Sequence, residues 1–228
     1  MPESIRDRLA AVEERIRAAA SRVGRDASSV RLVAVSKMMP VDVIRRALDA
    51  GVTTLGENRV QEANAKISLL PGSATWHLVG HLQTNKAKLA VQLFEMIHSL
   101  DSLKLAQELD KHGHQLNTIV RCLIEVNLGS EESKSGITEE EVRPLLEGAK
   151  HLPNLRIEGL MAIPPYIPDA EGVRPFFRRL RNVRDKLEGE GWRLAHLSMG
   201  MTHDFEVAIE EGATLVRIGT AIFGARPA

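Results

Sequence analysis

The feature of this sequence that most restricts its fold is a regular exchange between two hydrophobic periods. Short β-branched or apolar runs, typical of buried strands, alternate with longer stretches in which apolar residues recur at the helical period. The runs that predict strands are Val30–Ser36, Val52–Leu55, Thr75–Val79, Phe94–Ser99, Thr118–Val126, Leu155–Ile163, Leu194–Ser198 and Thr214–Ile218. The stretches that predict helices between them are Val41–Ala50, Arg59–Leu69, Lys86–Leu93, Leu103–His112, Glu139–His151, Val173–Glu188 and His203–Glu210.

Alternation of this kind favours parallel strands joined by right-handed crossovers. Because strand and helix alternate so many times in one chain, we expect a closed α/β barrel of the (β/α)8, or TIM, type rather than an open doubly wound sheet. The open, dinucleotide-binding alternative is weakened further because no Gly-x-Gly-x-x-Gly follows the first predicted strand. We expect a single domain over residues 1–228, with an amphipathic N-terminal helix within residues 1–24.

Composition excludes several classes of function. The 228 residues include 30 Lys plus Arg and 30 Asp plus Glu, so the chain has no net charge with which to attract nucleic acid. No apolar run approaches the roughly 20 residues of a membrane-spanning helix, and the N-terminus lacks the apolar stretch of an export signal. We therefore expect a cytoplasmic protein with neither a membrane nor a nucleic-acid partner. The single cysteine, Cys122, lies in an apolar segment and is interpreted as a small buried hydrophobe rather than a reactive thiol.

Lys37 directly follows the first predicted strand. In a TIM barrel the chemistry lies at the C-terminal ends of the strands and in the loops that follow them. An amine beside a largely apolar strand end is poorly solvated, which makes it a better nucleophile toward an aldehyde. The alternative is a solvated lysine that merely ends a strand.

Arg217 lies in the middle of the eighth predicted strand. Because side chains alternate between the two faces of a strand, Leu215, Arg217 and Gly219 share one face. A buried guanidinium requires an anion, a carbonyl or another acceptor. Gly219 and Thr220 then supply bare backbone and a hydroxyl, which suits a phosphate. The alternative is an arginine paired with a neighbouring Glu, followed by a glycine that only allows a turn.

The seventh predicted strand ends in Ser198, and Gly200 follows it. In a closed barrel these residues lie beside the loop after strand eight, where phosphate sites of TIM barrels recur. Ordinary turn chemistry is an equally compatible interpretation, with Gly200 at a bend and Thr202 as the N-cap of the next helix.

Three further polar segments lie at or near predicted strand ends. Asn58 with Gln61 fits a capping box, although Asn58 could also face a ligand at the barrel mouth. His77 and His81 straddle a strand end without a carboxylate cluster, so no metal site is expected. The polar groups of Glu125-Val-Asn127 and Lys134-Ser-Gly136, after the fifth predicted strand, are interpreted as a solvated loop.

Taken together, these segments resemble the pyridoxal phosphate homeostasis protein family. The match runs in order from about residue 30 to residue 224. Its segments are Val33-Ala-Val-Ser-Lys37, Gly56-Glu-Asn58, Val60-Gln-Glu62, His77-Leu-Val-Gly-His-Leu-Gln-Thr-Asn-Lys86, Ser133-Lys-Ser-Gly136, Gly159-Leu-Met161, Leu197-Ser-Met-Gly-Met201 and Arg217-Ile-Gly-Thr-Ala-Ile-Phe-Gly224. The resemblance implies a single-domain barrel related to the N-terminal domain of alanine racemase.

The resemblance also implies a cofactor, pyridoxal 5′-phosphate (PLP), and a set of residues that bind it. Lys37 would form a Schiff base with PLP, and Arg217 would meet the pyridine nitrogen. The remaining implied residues are Asn58 near the ring, Ser198, Gly219 and Thr220 at the phosphate, and Met199 and Gly200 lining the site. Lys134 is similar to a second family lysine near the site, and Arg59 stands where many members have Tyr.

By this resemblance the protein maintains intracellular PLP and amino-acid/keto-acid balance without substantial catalysis, as a monomer that could deliver PLP to apo-enzymes. We expect no catalytic residue. The main alternative is a small PLP-dependent amino-acid racemase, for which the only tyrosine, Tyr166, would be the candidate second base. A third possibility is a protein-interaction module that binds no cofactor.

Overall fold

The computed structural model describes residues 4–72, 74–129 and 135–225. Eight parallel strands pair in sequence order, and β1 also pairs with β8, which closes the barrel. The strands are β1 (Arg31–Val35), β2 (Thr54–Glu57), β3 (Thr75–Leu78), β4 (Met96–Leu100), β5 (Val120–Glu125), β6 (Leu155–Met161), β7 (His196–Ser198) and β8 (Leu215–Ile218). The predicted (β/α)8 barrel is confirmed.

Helices cover the outside of the barrel, as the helical period predicts. They are α1 (Ile5–Arg22), α2 (Val41–Ala50), α3 (Val60–Leu69), α4 (Ala87–Leu93), α5 (Leu103–Gln115), α6 (Glu139–Ala149), α7 (Arg174–Gly189), α8 (Phe205–Glu210) and α9 (Thr220–Phe223). Three short 3₁₀ turns occur at Ala27–Ser29, Thr84–Lys86 and Ala170–Val173. Within the described ranges, no helix is both long enough and apolar enough to cross a bilayer.

Both predicted helix caps are wrong. Helix α3 begins one residue later than a cap at Asn58 requires: its N-cap is Arg59, which makes no capping side-chain bond. Helix α8 begins after Asp204 rather than after Thr202, because a turn intervenes. In that turn the Asp204 carboxylate accepts a hydrogen bond from the Met201 amide at 2.6 Å.

The apolar core has two layers, one inside the barrel and one between barrel and helices. Inside the barrel pack Val33, Val79, Met96, Leu123, Met161 and Leu215. The outer layer is larger and includes Leu55, Phe177 and Phe205. Cys122 belongs to this outer layer and is fully buried, as predicted. Burial raises the pKa of its thiol, which makes it unreactive.

Candidate functional site

A cavity of about 240 Å³ opens at the C-terminal end of the barrel. It is lined by residues that follow several strands: Val35, Lys37, Met39, Asn58, Val79, Ile163, Met201, Thr202, His203, Arg217, Gly219, Thr220 and Gly224. Parallel strands present all their carboxyl ends at one rim, which explains why residues so distant in sequence meet there. Five of the residues predicted from the sequence line this cavity, namely Lys37, Asn58, Arg217, Gly219 and Thr220.

The charged side chains that line the cavity are all basic. Lys37 and Arg217 contribute cationic groups, and no lining residue that the structure describes is Asp or Glu. Asn58, Thr202 and Thr220 add neutral polar groups, while valine, isoleucine and methionine form apolar walls. Such a lining suits an anionic ligand that also has an apolar body.

Arg217 is only 4% exposed, and both terminal nitrogens of its guanidinium are hydrogen-bonded. It donates to the Ser198 hydroxyl at 2.6 Å and to the Ala162 carbonyl at 2.9 Å. These acceptors are the heteroatom and carbonyl that the sequence argument required. Burial lowers the pKa of Arg217 to about 10, and the carboxylates of Glu125 and Asp204 oppose that shift. The guanidinium therefore stays charged at neutral pH.

Behind Arg217, a hydrogen-bond chain runs through the barrel interior. The Ser198 hydroxyl lies 2.9 Å from His98 Nδ1, and His98 Nε2 lies 2.9 Å from His77 Nδ1. The Ser198 hydroxyl accepts from Arg217 and keeps its own proton to donate, so we assign it as the donor to His98 Nδ1, which leaves His98 to donate from Nε2 to His77. Burial lowers the pKa of His77 to about 3 and that of His98 well below its ordinary value, so both rings are neutral. In this assignment Arg217 sets the tautomer of each ring through Ser198.

Three predicted binding residues lie behind the cavity wall. Ser198 and Met199 are fully buried and do not line the cavity. Gly200 has a φ of 90°, and a Cβ there would come within 2.6 Å of the Ala208 Cβ, so the bend requires glycine. The predicted contacts of these residues with a cofactor stay predictions.

Sequence reasoning missed Thr202 as a binding residue. It was considered only as a helix cap, but it lines the cavity with its neighbours Met201 and His203. A signal was available, since Thr202 is the hydroxyl residue in the loop after β7 that follows the Gly200 bend.

The predicted solvated loop after β5 is wrong at its first residue. Glu125 is the last residue of β5 and only 7% exposed. Burial raises the pKa of its carboxyl to about 7, Asp101 raises it further, and Arg217 opposes the shift. Its Oε2 has no hydrogen-bond partner among the described residues. Lys134, the second lysine of the family pattern, lies outside the described residues.

The remaining candidates do not join the cavity. Tyr166 is 78% exposed, and its ring lies 5.5 Å from that of His203, centroid to centroid. His77 faces the barrel interior, whereas His81 pairs with Asp101 at 3.2 Å. Across the described ranges, no group of three or more His, Cys, Asp or Glu residues could hold a metal ion.

Comparison with known proteins places this geometry in a family. Residues 8–227 match the alanine racemase N-terminal domain family. A pyridoxal phosphate homeostasis protein of Aquifex aeolicus is 49% identical over 222 residues, which cover 96% of this chain and 97% of the relative. The pyridoxal phosphate homeostasis protein of Escherichia coli is 42% identical, with 96% of this chain and 95% of the relative covered.

Solved structures agree. PipY of Synechococcus elongatus, solved with PLP bound, superposes with a TM-score of 0.85 at 38% identity, covering 97% of this chain and 100% of PipY. An alanine racemase of Clostridium difficile shares the fold alone, with a TM-score of 0.70 at 17% identity, and the match spans 97% of this chain and 58% of the racemase. On its sequence relatives, its barrel and the family match over residues 8–227, the chain belongs to the pyridoxal phosphate homeostasis protein family.

Proposed function

We propose that this protein binds PLP reversibly at the barrel mouth and serves PLP homeostasis as a carrier, without substantial catalysis. One observation carries the proposal: a single cavity brings together Lys37, Arg217 and the Gly219-Thr220 segment. PLP supplies an aldehyde that condenses reversibly with an amine and a phosphate that carries negative charge. The residues fit that group, because the cavity offers one lysine amine, hydroxyl donors and a lining of positive charge.

The place of each residue in the cavity supports a binding role. Lys37 is half-buried two residues beyond the end of β1 and would be the amine that meets the aldehyde. Gly219 and Thr220 would hold the phosphate; a Cβ at residue 219 would come within 3.2 Å of the Val35 carbonyl oxygen. Thr202 would add a hydroxyl, and Asn58 would border the ring.

The residues behind the wall act indirectly. Ser198 would act on the cofactor through Arg217, to which it is hydrogen-bonded. Met199 and Gly200 shape the loop that carries Thr202; the Gly200 carbonyl accepts from the Arg217 amide at 3.0 Å. Ser198 and Gly200 of the predicted Ser-Met-Gly segment therefore support Arg217 from behind the cavity wall.

Arg217 also accounts for weak catalysis. PLP enzymes use a protonated ring nitrogen as an electron sink, which a carboxylate partner promotes. A permanently charged guanidinium is donor-only and disfavours a proton on that nitrogen. With Arg217 as the ring partner, the protein binds the cofactor while gaining little of its electron-withdrawing chemistry.

No observation favours the racemase alternative. A racemase needs a second base beside the substrate carbon, and Tyr166 is largely exposed and does not line the cavity. The carrier is expected to be a monomer in the cytoplasm that passes PLP to apo-enzymes. Size-exclusion chromatography tests the monomeric state, and transfer of PLP to an apo-transaminase tests delivery.

The visible spectrum of the purified protein tests PLP binding directly. The wild-type chain, incubated with PLP, is expected to show absorbance that borohydride converts into a stable adduct on Lys37, identified by peptide mass. Lys37→Ala should lose the adduct, whereas Lys104→Ala, at an exposed position on α5, should retain it. A wild-type protein that stays colourless with PLP would refute the proposal, as would an undiminished adduct in Lys37→Ala.

A further inference from the structure

A buried charged cluster lies behind Lys37, between the barrel and α3. We call it the Lys66 cluster; its members are Lys66, Glu57, Glu62 and Ser36. The Lys66 ammonium donates to Glu57 Oε1, to Glu62 Oε1 and to the Ser36 carbonyl, each at 2.7 Å. An ammonium group has three donors, and all of them are matched here. Such complete pairing inside a protein indicates a fixed position rather than a mobile surface lysine.

The cluster holds the peptide groups on both sides of Lys37. On one side, Lys66 binds the carbonyl of Ser36. On the other side, Glu62 Oε1 accepts the amide of Met38 at 2.6 Å. The peptide groups before and after Lys37 are therefore both hydrogen-bonded to side chains of one helix, α3.

The anchor at Met38 opposes a backbone strain. Met38 has a φ of 62°, in the left-handed region, which is unfavourable for a residue other than glycine. The residue is 59% exposed, so packing compensates little of that strain. The hydrogen bond to Glu62 is charge-assisted and therefore about twice as strong as a neutral one.

Electrostatics keep the anchor ionised. Burial alone would raise the pKa of Glu62, but hydrogen bonds from Lys66 and the Met38 amide lower it overall. Glu57 behaves oppositely, because its deeper burial outweighs the hydrogen bonds from Lys66 and Ser36 and raises its pKa. Glu62 is thus charged at neutral pH and able to accept the Met38 amide.

We propose that Glu62 and Lys66 are positioning residues: by anchoring the peptide groups that flank Lys37, they fix the direction in which its amine enters the cavity. The inference rests on the proposed function of Lys37 as the group that meets the aldehyde of PLP. Neither Glu62 nor Lys66 lines the cavity, so both act through the backbone.

Glu62→Ala tests this proposal because it removes the acceptor of the Met38 amide and leaves the Lys66–Glu57 pair intact. The Glu62 side chain is 26% exposed, so the variant is expected to fold. Borohydride-trapped capture of PLP by Lys37 should slow by roughly tenfold, since misplacing a reacting group costs rate. Glu62→Gln keeps an oxygen acceptor and should restore the rate to within about twofold. Asp42→Ala, at a carboxylate on α2 that is 76% exposed, is the matched control and should match the wild type.

Amide hydrogen exchange in the protein without added PLP gives a second readout. The Met38 amide should exchange faster in Glu62→Ala and at the wild-type rate in Glu62→Gln. Unchanged capture or unchanged Met38 exchange in Glu62→Ala would overturn the positioning role. If the wild-type chain captures no PLP while Met38 exchange responds as expected, the proposed function fails and the backbone anchor stands.

Discussion

Lys37 and Arg217 reach the same cavity, but the protein supports them by opposite means. The support of Lys37 is ionic, lies outside the barrel and acts on the backbone of its neighbours through Lys66 and Glu62. The support of Arg217 is neutral, lies inside the barrel and acts on the side chain itself through Ser198 and the Ala162 carbonyl.

The difference follows from what each group has to do. Arg217 keeps its charge at all relevant pH values, so neutral acceptors are enough to hold it. The Lys37 amine forms a new bond when it reacts with an aldehyde. A support that binds only the flanking peptide groups can hold the Lys37 backbone both before and after that reaction. An ionic cluster outside the barrel can also use two carboxylates, whereas the interior beside Arg217 favours neutral groups such as His98 and His77.

Removing the charge of Lys66 is expected to cause the largest loss. Lys66→Met leaves the fully buried Glu57 without its ammonium partner, and breaking a buried ion pair costs about 3–5 kcal/mol. The free energy of unfolding, measured in urea, should fall by that amount. Lys66→Met/Glu57→Gln removes the unpaired charge as well and should recover most of the loss. If Glu57→Gln recovers none of the unfolding free energy lost in Lys66→Met, the support behind Lys37 is not ionic and does not differ in kind from that of Arg217.

Glu125 tests the other half of the contrast, the preference of the interior for neutral groups. Its pKa is raised to about 7, so the folded state favours the protonated carboxyl. This stabilisation is complete below the ordinary pKa of about 4.5 and is lost as pH rises through about 7. Wild-type stability should therefore decline between pH 5 and pH 8 by up to about 3 kcal/mol, and Glu125→Gln should lack this decline.

The pH titration needs a control substitution at an exposed carboxylate. Glu140→Gln, at an exposed position on α6, is a suitable control and should keep the wild-type pH profile. A Glu125→Gln protein whose unfolding free energy follows the wild-type curve at every pH would show that the interior tolerates this charge.

The barrel could be predicted from the sequence because the hydrophobic periods of strands and helices are set by residues close together in the chain. Runs such as Leu155–Ile163 and stretches such as Val41–Ala50 carry their period in adjacent residues, and strand alternation does not depend on distant contacts. Lys37, Asn58 and Arg217 were predictable as cavity residues for a related reason. Each lies in a strand or within two residues of its end, and the fold alone brings strand ends to one rim.

The supports of the site could not be predicted in the same way. Lys66 lies in the middle of α3, where a lysine normally faces solvent, and its burial depends on how that helix packs beside Ser36 and Glu57. Likewise, His77 meets His98 only because β3 and β4 pair in one particular register. These contacts are properties of tertiary structure, which periodicity does not encode.

The smallest expected effect concerns the link between Arg217 and the histidines. Ser198→Ala removes the hydroxyl that accepts from Arg217 and donates to His98, and unsatisfied buried groups of this kind cost about 1–2 kcal/mol. The ring-nitrogen shifts of His98, measured by NMR, should show loss of the single Nε2-protonated tautomer. Ser99→Ala provides the comparison, because that neighbouring hydroxyl binds the Gly80 carbonyl instead and should leave the His98 signals unchanged. A Ser198→Ala protein that keeps one Nε2-protonated His98 would show that Arg217 does not orient the interior chain.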